Sequence, residues 1–407
     1  KIMAGEELVS PWHWWRSLGS PRYVSAPMVN NSELAFRLLV RRHGVQLTYT
    51  PMIPAKKFIS MGAKDRLALI EPHEDDRPLI VQFCSDEPDE LLEAGRLARD
   101  HCDAIDLNLG CPQSQAARDH YGAVLMEEPE LVSRMVRRAS QGLRVPVTCK
   151  IRVFDNLERT VAFAKMLQAS GCSMLTVHGR TRGCTHHEGS CNWDYIREVK
   201  EAVDIPVIAN GGMIRSLRDV RRCLEHTGAD AVMSAIGLLL DPRLFGGQES
   251  GQSSDPPDPQ PLPDPIELAL EYLELAKTIP STPGKSMREH VQALLRFELC
   301  PSYYHRGGKT DRHKDLWNLV CCNRVTTAHQ CIQIVEVLAW REKHRLAPYE
   351  PPPTLKQIKY APRIGASTAG PQVQAAASEA SDSARRSLDS EDEGSWELAA
   401  SIFDNLE

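Results

Sequence analysis

The sequence predicts an α/β fold, a (β/α)8 TIM barrel followed by a small all-helical unit and a disordered acidic tail. Three observations carry this. Between Tyr23 and Gly237, eight short apolar runs alternate with stretches of helical periodicity. The runs are nearly continuously apolar, as strands buried on both faces are. Polar residues gather at the C-terminal ends of the runs, the end at which such barrels carry their chemistry. A doubly wound open sheet is the competing reading, but it usually has about five or six strands.

The elements follow in order. The strand-like runs are Tyr23–Met28, Leu47–Ile53, Pro78–Cys84, Ala104–Gly110, Val145–Val153, Met174–Arg180, Ile205–Gly212 and Ala231–Gly237. Helical spacing of apolar residues marks Glu33–Arg42, Pro88–Asp100, Pro129–Gln141, Leu157–Ser170, Tyr195–Ala202 and Leu217–Glu225. Residues 1–21 read as an N-terminal extension and 22–246 as the barrel. Residues 247–265, rich in Pro, Ser and Asp, read as a linker that cannot bury a core. Helical patterning returns at Ile266–Thr278, Met287–Phe297, Asp315–Val320 and Ala328–His344, which defines a helical domain over 266–347. Residues 348–407 are poor in large apolar side chains and net negative, the composition of a disordered tail. Its short apolar island Trp396–Phe403 has no assigned role.

Composition narrows the function. No run of about eighteen apolar residues exists to span a membrane, and Lys1–Ser20 lacks the apolar core of a signal peptide. The twelve cysteines include no CxxC pair, and Cys84, Cys102, Cys149 and Cys172 sit in or beside apolar runs as core thiols do. This usage fits a reducing compartment, the cytoplasm. The net charge of −6 is uneven. The stretch Ala366–Glu407 alone carries −7, and Ile266–Ala347 carries +3, so a basic face for a phosphate backbone remains possible. Tyr303–Arg306 beside Gly307-Gly308-Lys309 is either an RNA contact or an interhelical loop. The cluster Cys184–Cys191, with His186 and His187 adjacent, matches no common zinc spacing, and no metal is assigned.

The polar strand ends describe one pocket. Ala104–Leu109 stops at Gly110 and presents Cys111 and Pro112, with Asn108 beside them. A thiol at a barrel rim can donate a proton next to a flat ring. Gln82 can hydrogen-bond an amide-edged heterocycle as donor and acceptor. Lys150 and His178 add positive or donor groups, and Pro27, Met28 and Val29 form an apolar shelf. Asn210-Gly211-Gly212, with Ala235-Ile236 after the last strand, stands where barrels bind phosphate through backbone amides. Phosphate anchor and flat amide-edged ring together fit FMN. No GxGxxG follows the first strand, so a dinucleotide fold is not indicated.

These residues also carry a likeness. Ala26-Pro27-Met28, Tyr49-Thr50-Pro51-Met52, Leu79–Phe83, Asp106–Gln113 (DLNLGCPQ), Tyr121-Gly122-Ala123, Lys150-Ile151-Arg152, Val177–Arg182 (VHGRTR) and Ala209-Asn210-Gly211 occur in this order between Arg22 and Phe245. The chain resembles the tRNA-dihydrouridine synthases, most of all the eukaryotic branch acting on D-loop uridines 16 and 17. The resemblance implies FMN reduced by NADPH or NADH, and a tRNA uridine reduced at C5–C6. It implies hydride transfer to C6 and a proton from Cys111 to C5, with Cys111 a general acid of near-ordinary thiol pKa, about 8.5. It makes Asn108, Arg152, Arg180 and Arg182 substrate contacts, with Asn108 on the uracil edge and Arg180 and Arg182 at the RNA-facing mouth. The helical domain would grip the tRNA, and the protein is expected to act as a monomer. Ala235-Ile236 replaces the Gly-Arg of many relatives, which removes an arginine from the flavin phosphate site. Two other readings remain open on residues alone: an FMN-dependent dehydrogenase of a free pyrimidine, and a tRNA-binding protein of minor activity.

Overall fold

Burial of both strand faces decides the architecture, because outer residues meet helices and inner residues meet one another. The computed structural model describes residues 10–184, 191–212, 214–246, 264–299 and 313–344. Its strands are β1 (Tyr23–Ser25), β2 (Thr48–Tyr49), β3 (Ile53–Pro54), β4 (Leu79–Cys84), β5 (Ala104–Leu109), β6 (Val147–Val153), β7 (Met174–Thr181), β8 (Val207–Asn210) and β9 (Ala231–Ser234). The order is β1-β9-β8-β7-β6-β5-β4-β2, with β3 also on β4. A parallel bridge between Val24 and Leu47 brings β1 to β2 and closes the ring. The expected run Leu47–Ile53 is split. Tyr49 faces Ile80 and Ile53 faces Phe83, so four steps on one side match three on the other. Pro51, with no N–H for the ladder, sits at the irregularity.

Alternation along the strands sorts the core in two. Ile105, Leu107 and Leu109 of β5 join the layer between strands and helices. Ala104 joins the lumen cluster of Val24, Leu47, Tyr49, Ile80, Met174, Ile208, Ala231 and Met233. Trp14 and Trp15, from the helix Pro11–Ser17, complete that cluster. The Trp12 indole N–H donates to the Asp204 carbonyl, 2.6 Å away and just before β8. This segment, expected as an extension, is therefore a plug at the N-terminal end of the barrel. Outer helices occupy the expected stretches, for instance Leu34–Arg42, Pro88–Ala98, Pro129–Gly142 and Leu157–Ala169. The helices Ala55–Ser60 and Ala63–Ile70 were not anticipated. Among the described residues no helix is long and apolar enough to cross a membrane.

Beyond the barrel, the helices Pro265–Thr278, Gly284–Leu294, Arg296–Leu299, Lys314–Val320 and Ala328–His344 bury Leu273, Val291, Leu316, Val335 and Leu338. Residues 247–263 of the linker, the Tyr303–Lys309 stretch, the pair His186–His187 and the tail from Pro348 lie outside the described residues. A buried carboxylate is one of the ties between these helices and the barrel, beside Glu271 with His43 and Ser281 with Glu71. Glu33, 3% exposed, precedes helix Leu34–Arg42. It accepts a hydrogen bond from the Tyr272 hydroxyl at 2.7 Å and lies 3.2 Å from His290 Nε2. The His290 ring stacks on Phe36 with centroids 4.5 Å apart.

Burial alone would raise the Glu33 pKa. The His290 charge and the hydrogen bonds from His290 and Tyr272 outweigh it, and the carboxyl lies below its ordinary value. A group depressed on folding contributes stability that is complete above its unfolded pKa and is lost as the pH falls through the folded one. Glu33→Ala is expected to cost about 3–5 kcal/mol, read as a lower urea midpoint at neutral pH. The gap from wild type should narrow below about pH 4.3. An unchanged midpoint would remove Glu33 as a tie.

Candidate active site

The i, i+2 rule aims the functional side chains. On β5, Ala104, Asp106 and Asn108 share the inner face. On β6 it is Thr148, Lys150 and Arg152, and on β7 Met174, Thr176 and His178. Register sets them abreast: Asn108 beside Lys150, Lys150 beside Thr176, and His178 beside Asn210. The lumen thus changes from apolar to polar toward the C-terminal strand ends.

Gln82, Asn108 and Cys111 meet directly. The Gln82 Nε2 donates to Asp106 Oδ2 at 2.8 Å, and Asn108 Nδ2 donates to Gln82 Oε1 at 2.9 Å. Asn108 Oδ1 accepts from the backbone N–H of Gly110 at 3.1 Å and of Cys111 at 3.0 Å. The second carboxylate oxygen of Asp106 accepts from the Thr148 hydroxyl at 2.6 Å. On its other side Cys111 rests against Gly122, whose φ is +74°. A Cβ there would come 2.8 Å from the Cys111 carbonyl oxygen and 2.9 Å from its Cβ. Ala123 N–H closes this contact on the Cys111 carbonyl at 2.9 Å.

Electrostatics around the thiol are dominated by burial. Cys111 is half-buried, and burial pushes its pKa up against the pull of Arg152 and Lys150. The near-ordinary thiol expected from the sequence is therefore held higher, and it stays protonated across neutral pH. Burial and the like charge of Arg152 lower Lys150 to about 8, despite Asp106 and Cys111. Burial raises Asp106 to about 6, moderated by Thr148, Gln82 and Lys150. Arg152, 1% exposed, donates to the Thr181 carbonyl at 3.1 Å, while its Nε has no hydrogen-bond partner among the described residues.

The strand-eight end forms a cradle. Gly211 and Gly212 have φ of +91° and +88°. A Cβ on Gly211 would come 2.6 Å from the His178 ring and 2.9 Å from the Cys191 sulfur, and one on Gly212 would strike Trp193. Side chains are excluded here and backbone amides are left to line the surface. Asn210 Nδ2 is tied to the Met233 carbonyl at 3.0 Å. Gly237, after Ala235-Ile236, backs onto the Ile214 carbonyl, so the two expected phosphate segments adjoin. Glycine amides with Lys150, His178 and Arg152 suit an anionic, planar group with an amide edge, so these residues fit FMN.

The remaining candidates lie around the rim. Pro27 and Met28 are half-buried beyond β1, and Val29 is 50% exposed. Burial first, and then the like charge of Arg180, lower Arg152 to about 10. Arg182, expected toward RNA phosphates, makes an ion pair with Glu127, which Arg159 also holds at 2.6 Å. Three residues without an assigned role belong to the site: Asp106, Thr148 and Gly122. The first two were detectable as polar residues at period two inside apolar runs. Gly122 was visible only as part of Tyr121-Gly122-Ala123.

The family model described as dihydrouridine synthase (Dus) matches residues 24–307. A Mus musculus protein named as a tRNA-dihydrouridine(16/17) synthase-like protein, with NAD(P)(+) in its name, is 48% identical over 288 residues. The match covers 70% of this chain and 58% of that one. A Saccharomyces cerevisiae tRNA-dihydrouridine(16/17) synthase is 41% identical, over 69% of this chain and 66% of its own. A Homo sapiens tRNA-dihydrouridine(20a/20b) synthase-like protein is 38% identical, over 67% and 81%. The chain covers less than two thirds of the length of either 16/17-named relative.

Gly122→Ala places a methyl group against the Cys111 backbone at a left-handed φ. It is expected to cost about 1–3 kcal/mol, measured by thermal unfolding, and to change the alkylation rate of Cys111. A variant matching wild type in both would mean that Gly122 does not set the Cys111 backbone.

Proposed function

Because the chain belongs to the dihydrouridine synthase family, we propose that it reduces the C5–C6 double bond of a D-loop uridine in tRNA, at position 16 or 17, with FMN as coenzyme and NADPH or NADH as reductant. The observation that carries this is the placement of Cys111. Its backbone is gripped by Asn108 and Ala123 beside Lys150 and Arg152, and its thiol is protonated at neutral pH. The choice of position 16 or 17 rests on the names of the relatives.

When bound, reduced FMN supplies the hydride for C6. The chain supplies the rest. The Cys111 S–H bond breaks as a C5–H bond forms, and the half-exposed sulfur regains its proton from water. Hydride and proton together add one H2 to the base. Gln82 and Lys150 hold the amide edge of the ring, and the Gly211-Gly212 amides, with His178 and Ala235-Ile236 alongside, take the phosphate. Pro27, Met28 and Val29 shelve the ring. Asn108 keeps one N–H for the uracil, and Arg152 and Arg180 face its polar rim. The uridine is stacked in folded tRNA and must be extruded to reach the thiol. The helices over 265–344 bind the tRNA by shape and backbone, and a single chain suffices.

Purified protein is expected to be yellow and to form dihydrouridine in tRNA lacking the modification. Cys111→Ala should lower that rate by about 100-fold or more, with bound flavin and tRNA affinity retained. Colourless protein that takes up no FMN, or a fully active Cys111→Ala, would overturn the proposal.

A further inference from the structure

We propose that Asp106 is a positioning residue for the proton donor: its carboxylate sets the direction of a Gln82–Asn108 hydrogen-bond relay that ends on the Cys111 backbone N–H. The inference rests on the function proposed above only for the reaction it serves.

The argument is one of donor and acceptor parity. A carboxylate accepts, and a backbone N–H donates. Between these ends lie two side-chain amides, each able to face either way. Gln82 must turn its NH2 toward Asp106, which leaves its oxygen for Asn108. Asn108 must then turn its NH2 toward Gln82, which leaves its oxygen for Gly110 and Cys111. Flipping either amide sets two N–H groups or two oxygens face to face. The demands of the two ends therefore agree, and a single orientation satisfies the whole chain.

Asp106 has no exposed surface, and its side-chain hydrogen bonds go to Gln82 and Thr148. Its influence passes through other groups. The relay fixes which edge of Gln82 and Asn108 remains for a ring or a base, and it holds one side of the Cys111 peptide while Ala123 holds the other. Asp106 is also the acid facing Lys150, and its charge reaches two further titratable groups, Tyr49 of β2 and Cys149 of β6, both of which stay neutral. A simple counter-ion would need no ordered amides between itself and the thiol. Its pKa near 6 puts the acceptor end of the relay within reach of mild acid.

The test follows alkylation of Cys111 by iodoacetamide in the purified protein between about pH 5 and 8, quantified on the Cys111 peptide by mass spectrometry. Steady-state kinetics on tRNA use the same preparations. Wild type should show, on top of the ordinary thiolate slope, a step near pH 6. Thr148→Val removes one hydrogen bond from the carboxylate and leaves the Gln82 contact intact, so the step should move to higher pH. Asp106→Leu removes the acceptor at the head of the relay; it should abolish the step and lower kcat roughly 10–100-fold, with KM for tRNA within about twofold. A wild-type profile without the step, a step unmoved in Thr148→Val, or wild-type thiol reactivity and kcat in Asp106→Leu would overturn the proposal. Since Thr148→Val alone reports on the step, a poorly folded Asp106→Leu leaves the test standing. A thiol step that behaves as expected in protein making no dihydrouridine would uphold the positioning role and overturn only the reaction assigned to it.

Discussion

The upper half of the barrel depends on keeping one carboxylate in the lumen. Asp106 sits among strands that leave it no water, so its oxygens must be satisfied by neighbours. Thr148 and Gln82 do so directly. That requirement turns Gln82, then Asn108, and finally the peptide that carries Cys111. Burial also brings Asp106 to about 6 and Lys150 to about 8, two facing groups poised around neutrality. Perturbed, mutually coupled groups of this kind collect at functional sites.

The barrel divides labour along its axis. At one end Trp14 and Trp15 enter the lumen and pack on Val24, Leu47, Ala104 and Met174. At the other end the same strands present Asn108, Lys150, Arg152, His178 and Asn210. Stability is concentrated at the plugged end and chemistry at the open one, as is usual for this architecture. The open end carries glycines at unusual φ and an arginine whose Nε has no partner among the described residues.

Among the contacts of the outer helices with the barrel, those through Glu33 reach the rim. That residue binds Tyr272 and His290 and stands next to Ser32, whose hydroxyl oxygen lies 3.0 Å from both the Met28 N–H and carbonyl. The shelf Pro27–Val29 and the helical unit are thus connected through a few residues.

Much of the fold was legible in the sequence because periodicity records which side of each element is covered. The run Ala104–Gly110 became β5, Ala104–Leu109, and Leu157–Ser170 became the helix Leu157–Ala169. Cys111, Asn108, Gln82 and Lys150 were legible as polar residues at strand ends. Asp106 and Thr148 stood as polar residues at period two inside nearly continuously apolar runs, but no local pattern gave them a role. The Trp plug was missed because seven residues carry too little helical repeat. By itself the sequence determined the order of strands and helices and the rim position of the thiol, through local spacing. Which oxygen faces which amide, and that Arg182 turns to Glu127, was decided only by closure and register of the barrel, because those partners are set by distances across strands that no local pattern encodes.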